Sequence, residues 1–431
     1  YTEVKDYFSA GNYTTSREYY DGLGRVIQSE KSDVGGQFIV SYKQYDSQGR
    51  VAKETLPVFV GTINFNASPS FALAKVYTYD ALDRVLTEVS PTGTTSYAYD
   101  GLITTITNPR GKLKKLTKDA FDNLVKVEEF NNSLTYTTNY EYSLTNKLKK
   151  ITDALGNIRT FSYDALDNLT QQDMVHKSSV TNPVKWTYTY DKNGNVLSKV
   201  DPKFQTVNYT YDLLNRLTQE NYTGKTGIEY ALTYDQGSGQ LGRLTHVVGS
   251  DGLITDYTYD KQGKPLTVTR TIDGTSYVLT YDYDWNGNVT SITYPEGERV
   301  DYLYNSAGQI SQVNKVKTGV TTVLTSNVTY SPLGQITHVE RGNGVITDYT
   351  YDVNQNYRLT RIYSAKGTSI LQDIAYTYDT NGNILTLVDT STTQLAKNVA
   401  YTYDDLNRLT STTVTGSGSG TNYTQTFTYD A

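Results

Sequence analysis

The chain has 431 residues, a formal net charge of −6, no cysteine, and 41 tyrosines against 10 phenylalanines and 2 tryptophans. The missing cysteine excludes disulfides and thiolate metal sites, and the acidic balance argues against a nucleic-acid surface. No stretch approaches the ~18 apolar residues of a membrane span.

Along the chain one signal recurs, an aromatic followed by a small turn. The anchors are Tyr20, Tyr45, Tyr79, Tyr99, Tyr142, Tyr163, Tyr190, Tyr211, Tyr234, Tyr259, Tyr283, Tyr304, Tyr330, Tyr351, Tyr378, Tyr403 and Tyr429. Asp follows all but three, which take Ser143, Asn305 and Ser331. With Lys118 standing in for one aromatic, the spacing is about 24 residues, enough for two strands and two turns. Such end-to-end self-similarity predicts one continuous array over 1–431 rather than separate domains. Both termini fall inside a repeat, so the expectation is a segment of a longer chain.

Residues 186–223 show how a unit is built. Tyr188 and Tyr190 lie two apart, on one face of a strand. Asp191 opens a turn that ends at Gly194, and 196–200 is the return strand. Asp201-Pro202 makes the second turn, and 207–211 is the next strand. The same residues recur as Tyr281, Tyr283, Asp284 and Gly287, and as Tyr376, Tyr378, Asp379 and Gly382. Each Asp can accept a hydrogen bond from its own backbone two residues on. Gly follows three residues later, where a left-handed residue suits a bulged hairpin. Where Gly is missing the chain uses Asp83, Asp167, Asn215 or Asn407, types that tolerate positive φ. The aromatic-x-aromatic pairs, such as Tyr77/Tyr79, are expected to stack across strands. Tyrosine brings a hydroxyl that needs a partner when buried, so its excess suggests a surface that is packed yet touches water. The one long gap, 56–76, reads as a loop insertion, and 416–420 as a flexible loop.

Two strands per unit give roughly 35 strands, and at ~4.8 Å each a sheet about 170 Å wide. Strands twist, and open sheets rarely pass ~10 strands without curling. The predicted fold is therefore all-β: antiparallel hairpins in one long coiled or spiralling sheet, which also removes exposed edges.

Tyr-x-Tyr-Asp-x-x-Gly-Asn/Arg followed by Leu, Val or Ile, as in Tyr281 to Val289, Tyr376 to Ile384 and Tyr401 to Leu409, resembles the YD (Rhs) repeat over essentially the whole chain. Proteins with this repeat include shell components of bacterial ABC toxins, Rhs polymorphic toxins, wall-associated proteins and teneurins. The resemblance implies a hollow β-shell, which in the toxins encloses a C-terminal toxic polypeptide. The family's terminal core segment with its autoproteolytic aspartate has no match here, so no protease residue carries over.

Outside the repeat the chain offers little chemistry. The turn aspartates follow the fixed spacing and are explained by turn capping rather than acid/base work. Asp191-Lys-Asn193-Gly-Asn195 echoes the start of a calcium loop, but the twelfth position is Pro202 instead of Glu. His176, His246 and His338 are dispersed and read as strand surface. Lys112, Lys114 and Lys115, repeated at Lys147, Lys149 and Lys150, read as a solvated strand face or a basic patch. No catalytic, cofactor-binding or metal-binding residue is predicted, and the chain is not expected to be an enzyme. The expected function is a shell or scaffold segment of a secreted or cell-surface, bacterial YD-repeat protein. It would enclose or present a toxin or effector region of the same longer chain. The alternative is a surface fibre or adhesin that binds glycans or neighbouring cells through its tyrosine rows. Neither nucleic acid nor a membrane span is expected.

Overall fold

The computed structural model describes all residues except 10–11, 63–64, 67–68, 72, 175–183, 226, 392–396, 417–421 and 431. The tip of the predicted flexible loop, 417–420, and His176 lie outside the described residues. The chain forms one antiparallel sheet of 37 strands with two short 3-10 turns, Val34–Gly36 and Val353–Gln355. No described helix is long and apolar enough to cross a membrane.

The sheet is a meander in which nearly every strand pairs only with its neighbours in sequence. One exception falls in the span expected to be an insertion. Phe38–Tyr45 pairs with Val51–Thr55 near its C-terminal end and with Val58–Val60 near its N-terminal end. Val51–Thr55 then continues the sheet through Ala74–Tyr79. So 56–76 is partly strand, and it forks the sheet.

The return strand predicted at 196–200 is Val196–Val200, and Thr206–Tyr211 follows it. Asp191 Oδ1 accepts the N–H groups of Asn193 and Asn195, each at 2.8 Å. Gly194 closes the turn at φ 86°. Asp83, Asp167, Asn215 and Asn407 take the same place at φ 62°, 64°, 61° and 63°. After each such turn the register slips by one residue: Thr189 faces Ser198, but Tyr190 faces Val196. The bulge adds twist and bends the strand.

A single layer has no two-sided core. Few apolar side chains are deeply buried, Val40 at 1 % and Ala365 at 2 % exposure among them. Accumulated twist curls the layer until it meets itself. Asp404 and Asn407 touch Arg110 from a turn 25 strands earlier in the chain. Tyr357 donates its hydroxyl to the Pro57 carbonyl at 2.7 Å, and Asn356 reaches Thr92 at 3.0 Å. The wall therefore completes one revolution and begins a second.

Candidate functional site: a stapled wall and its seam

The meander has two rims. One carries the Tyr-Asp turns, the other the return turns. Between units the backbone ladder stops short of the Tyr-Asp rim. Val196–Val200 pairs with Thr206–Tyr211 only from Ser198 to Val200, which leaves the Val196 carbonyl without a ladder partner. Tyr211 closes that gap by donating its hydroxyl to Val196 O at 3.0 Å. Fourteen of the seventeen anchors make this bond to the unit before them, at 2.5–3.1 Å. Tyr190, Tyr283 and Tyr378 reach Leu169, Pro265 and Leu359 in this way. Phenylalanine would leave a carbonyl orphaned at each place. Burial pushes the Tyr190, Tyr211, Tyr283 and Tyr378 phenols above their ordinary range, so the donor proton stays on.

The expected aromatic ladder is largely missing. Among the described residues only Tyr1–Tyr19, Tyr7–Tyr13, Tyr19–Phe65 and Tyr257–Tyr259 form ring pairs. Anchors occupy every second strand, so successive rings stand about 10 Å apart, two strand spacings. At eight of the anchors a cation lies over the ring instead. Arg25 lies 4.4 Å from the Tyr45 ring centre, Arg84 4.1 Å from Tyr99, and Arg216 4.4 Å from Tyr234. These cations are the fifth residues of the Tyr-Asp turns, anchored by the opening Asp: Arg84 Nε donates to Asp80 Oδ2 at 2.7 Å.

The turns also hold one another along the rim. Arg50 donates to the Asp80 carbonyl and to Asp83 Oδ1 of the next turn, at 2.9 and 2.8 Å. Asn193 and Asn195 both donate to Asn215 Oδ1. Asp191 Oδ2 accepts the Asn195 side-chain amide, and this donation, with backbone N–H groups, holds the carboxyl below its usual range. Asp284 and Asp379 accept Asn288 and Asn383 in the same manner, at 2.8 and 2.7 Å. The oxygens that echo a calcium loop are thus committed to turn donors. No described group of three or more His, Asp and Glu is placed to hold a metal ion.

At the seam, the return rim of the first revolution docks onto the Tyr-Asp rim of the second. Arg110 donates to Asp404 O at 3.0 Å and Asn407 Oδ1 at 2.9 Å. Arg50 grips its rim neighbour with the same pair of acceptors. Arg110 Nε also lies 3.3 Å from Asp379 Oδ2. Lys112 Nζ sits 2.7 Å from Asp405 Oδ1, and Asn131 Nδ2 donates to Asp404 Oδ2. Asp405 is held below the usual carboxylate range, by Lys112 first and the Asn132 N–H second.

The lysine cluster does not form a free basic patch. Lys112 belongs to the seam, while Lys114 pairs with Glu129 and Lys150 with Glu141, each at 2.8 Å. The two described histidines are more than strand surface. His246 Nδ1 lies 2.6 Å from Asp256 Oδ1, and His338 Nδ1 2.6 Å from Asp348 Oδ1. The signal was present in the sequence as one His-to-Asp spacing of ten residues, repeated in both units.

This stapled, bulged wall is the architecture of a YD-repeat shell, and the comparisons agree. The Teneurin YD-shell family model matches residues 172–313, and the RHS Repeat model matches 76–113 and 142–174. A domain of unknown function, DUF6443, matches 2–67. The matched segments carry repeats of the YD (Rhs) kind. Among solved structures, the fold is that of the TcdB2-TccC3 chain crystallised as TcdB2-TccC3-Cdc42. That match has TM-score 0.86 and 18% identity, over 99% of this chain and 26% of that one. TcdB2-TccC3 itself matches with TM-score 0.83 and 16% identity, over 98% and 27%. The Photorhabdus luminescens Tc holotoxin pore matches with TM-score 0.82 and 16% identity, over 98% and 26%. The chain thus spans about a quarter of the length of these solved chains. No curated protein matches it in sequence.

Proposed function

We propose that the chain is a non-enzymatic shell or scaffold segment of a secreted or cell-surface bacterial YD-repeat protein. Its wall encloses or presents an effector region of a longer chain. The observation that carries this reading is the seam, because a sheet that closes on itself after about one revolution bounds an interior. The free Tyr-Asp rim supports a wall that continues. Its turn tips are apolar and bare, Phe121 at 80% and Leu213 at 102% exposure, whereas Tyr357, covered by the seam, is at 8%. The similar solved structures are titled as toxin assemblies, which favours a toxic or effector cargo. The adhesin alternative relies on open tyrosine faces, and cations cover many of these. Cryo-electron microscopy of the chain tests the proposal: a curved single-layer wall around a cavity is expected, and a solid particle refutes it.

A further inference from the structure

We propose that the cleft where the wall first meets its second revolution is a saccharide-binding site. The cleft has a volume of about 700 Å³. Asp33 and Phe59 line it from the first revolution, and Gln309, Gln312, His338 and Glu340 from the second.

Three observations converge there. First, Asp33 is only 9% exposed, and among the described residues its Oδ1 has no hydrogen-bond partner. An unpaired buried carboxylate oxygen is costly, and a ligand that donates to it would offset that cost. Second, the repeat is broken opposite Asp33. The register slips between Ser326 and Thr329, and Asn327 takes φ 50°. Both Asn327 and Val328 line the cleft. Bulges of this kind re-aim side chains and gather beside functional sites. Third, the sequence departs from its own pattern at this place. The segments 244–260 and 336–352 match closely, including the His-Asp pair, yet Glu340 stands where the sister unit has Val248. His338 Nε2 faces Glu340 Oε1 at 3.7 Å, with Nδ1 committed to Asp348.

The lining chemistry selects the ligand. No lysine or arginine lines the cleft, so an anion has no counter-charge. Two carboxylates offer acceptors to hydroxyl groups. The amide side chains of Gln309 and Gln312 offer donors and acceptors together. Phe59 supplies an apolar wall for the C–H face of a ring, and Tyr330, whose hydroxyl is spent on Ile310 O, supplies another. A polyol ring meets all three demands. A basic peptide is the competing occupant. The inference stands whether or not the wall encloses a cargo.

Saturation-transfer NMR and calorimetry with maltotriose, cellotriose and chitotriose test it, with tetralysine as the competing probe. At least one trisaccharide should bind at concentrations up to about 10 mM. Glu340→Val, which restores the repeat residue, should weaken binding about tenfold and leave the thermal midpoint unchanged. Asp33→Asn, which removes the carboxylate acceptor, should weaken binding. Binding of no trisaccharide, binding that survives both substitutions, or binding of tetralysine alone overturns the proposal. None of these results touches the curvature of the wall, which is read separately.

Discussion

Tyr304→Phe removes one oxygen from one staple. The Tyr304 hydroxyl donates to Val289 O at 2.8 Å, beyond the point where the Val289–Thr293 and Arg299–Tyr304 ladder ends at Ser291 and Asp301. Deletion loses a net hydrogen bond and leaves a carbonyl unpaired, together about 1.5 kcal/mol. Tyr403→Phe is the internal control. It has the same place in the repeat, and its phenol is likewise raised by burial, but among the described residues no acceptor meets its hydroxyl. Its cost should stay within about 0.5 kcal/mol. Repeat arrays open locally, so global denaturation would blur the difference. Native-state hydrogen exchange resolved to 289–293 and 299–304 should show about tenfold faster opening in Tyr304→Phe. Tyr403→Phe should leave the protection of its own strands nearly unchanged. Equal effects at both positions would mean that the tyrosines act through ring packing alone.

The seam gives two further outcomes. Arg110→Ala loses three acceptors on the second revolution and should weaken the closure by about 2 kcal/mol. The radius of gyration in X-ray scattering should rise, and an unchanged radius would show that the seam does not hold the coil. The Asp405 carboxyl is depressed below its ordinary value of 3.8 by Lys112. Its stabilisation is therefore full above that value and lost as the pH falls through the depressed one. Limited proteolysis by pepsin should detect opening only below about pH 4. In the turns, Gly382→Ala places a Cβ 3.0 Å from Arg358 Nη2 at φ +99° and should cost about 1–2 kcal/mol. Asp167→Gly, at φ 64°, should instead gain a few tenths, read by thermal melts of the two variants.

What was legible in the sequence is what a unit does within itself. Asp191, Gly194 and Asn407 announce their turns, because side chain and backbone partner lie within five residues. The staple was half visible. Tyrosine in preference to phenylalanine signalled a hydroxyl with a task, but water seemed the partner. The true acceptor is a backbone carbonyl of the preceding unit, a group every residue carries and no residue type advertises. The aromatic ladder failed for a related reason. Period two along a strand fixes the face, while contact depends on which strands are adjacent, and return strands stand between the anchors. The seam was invisible. Arg110 and Asp404 meet only because twist summed over 25 strands brings them round, and no local pattern records that sum. The cleft beside Asp33 inherits the same blindness, although Glu340 in place of a second valine was in plain sight.

One revolution of about 25 strands fixes a girth. At ~4.8 Å per strand the circumference is near 120 Å and the diameter near 38 Å. Side chains on the inner face take up about 5 Å all round, half a sheet-to-sheet spacing, which leaves a bore of about 28 Å. A folded globule of ~100 residues measures about 34 Å across, from a radius of gyration near 13 Å. If the wall encloses an effector, as proposed, a lumen of this girth would take an extended chain with room to spare and press closely on a folded globule of that size.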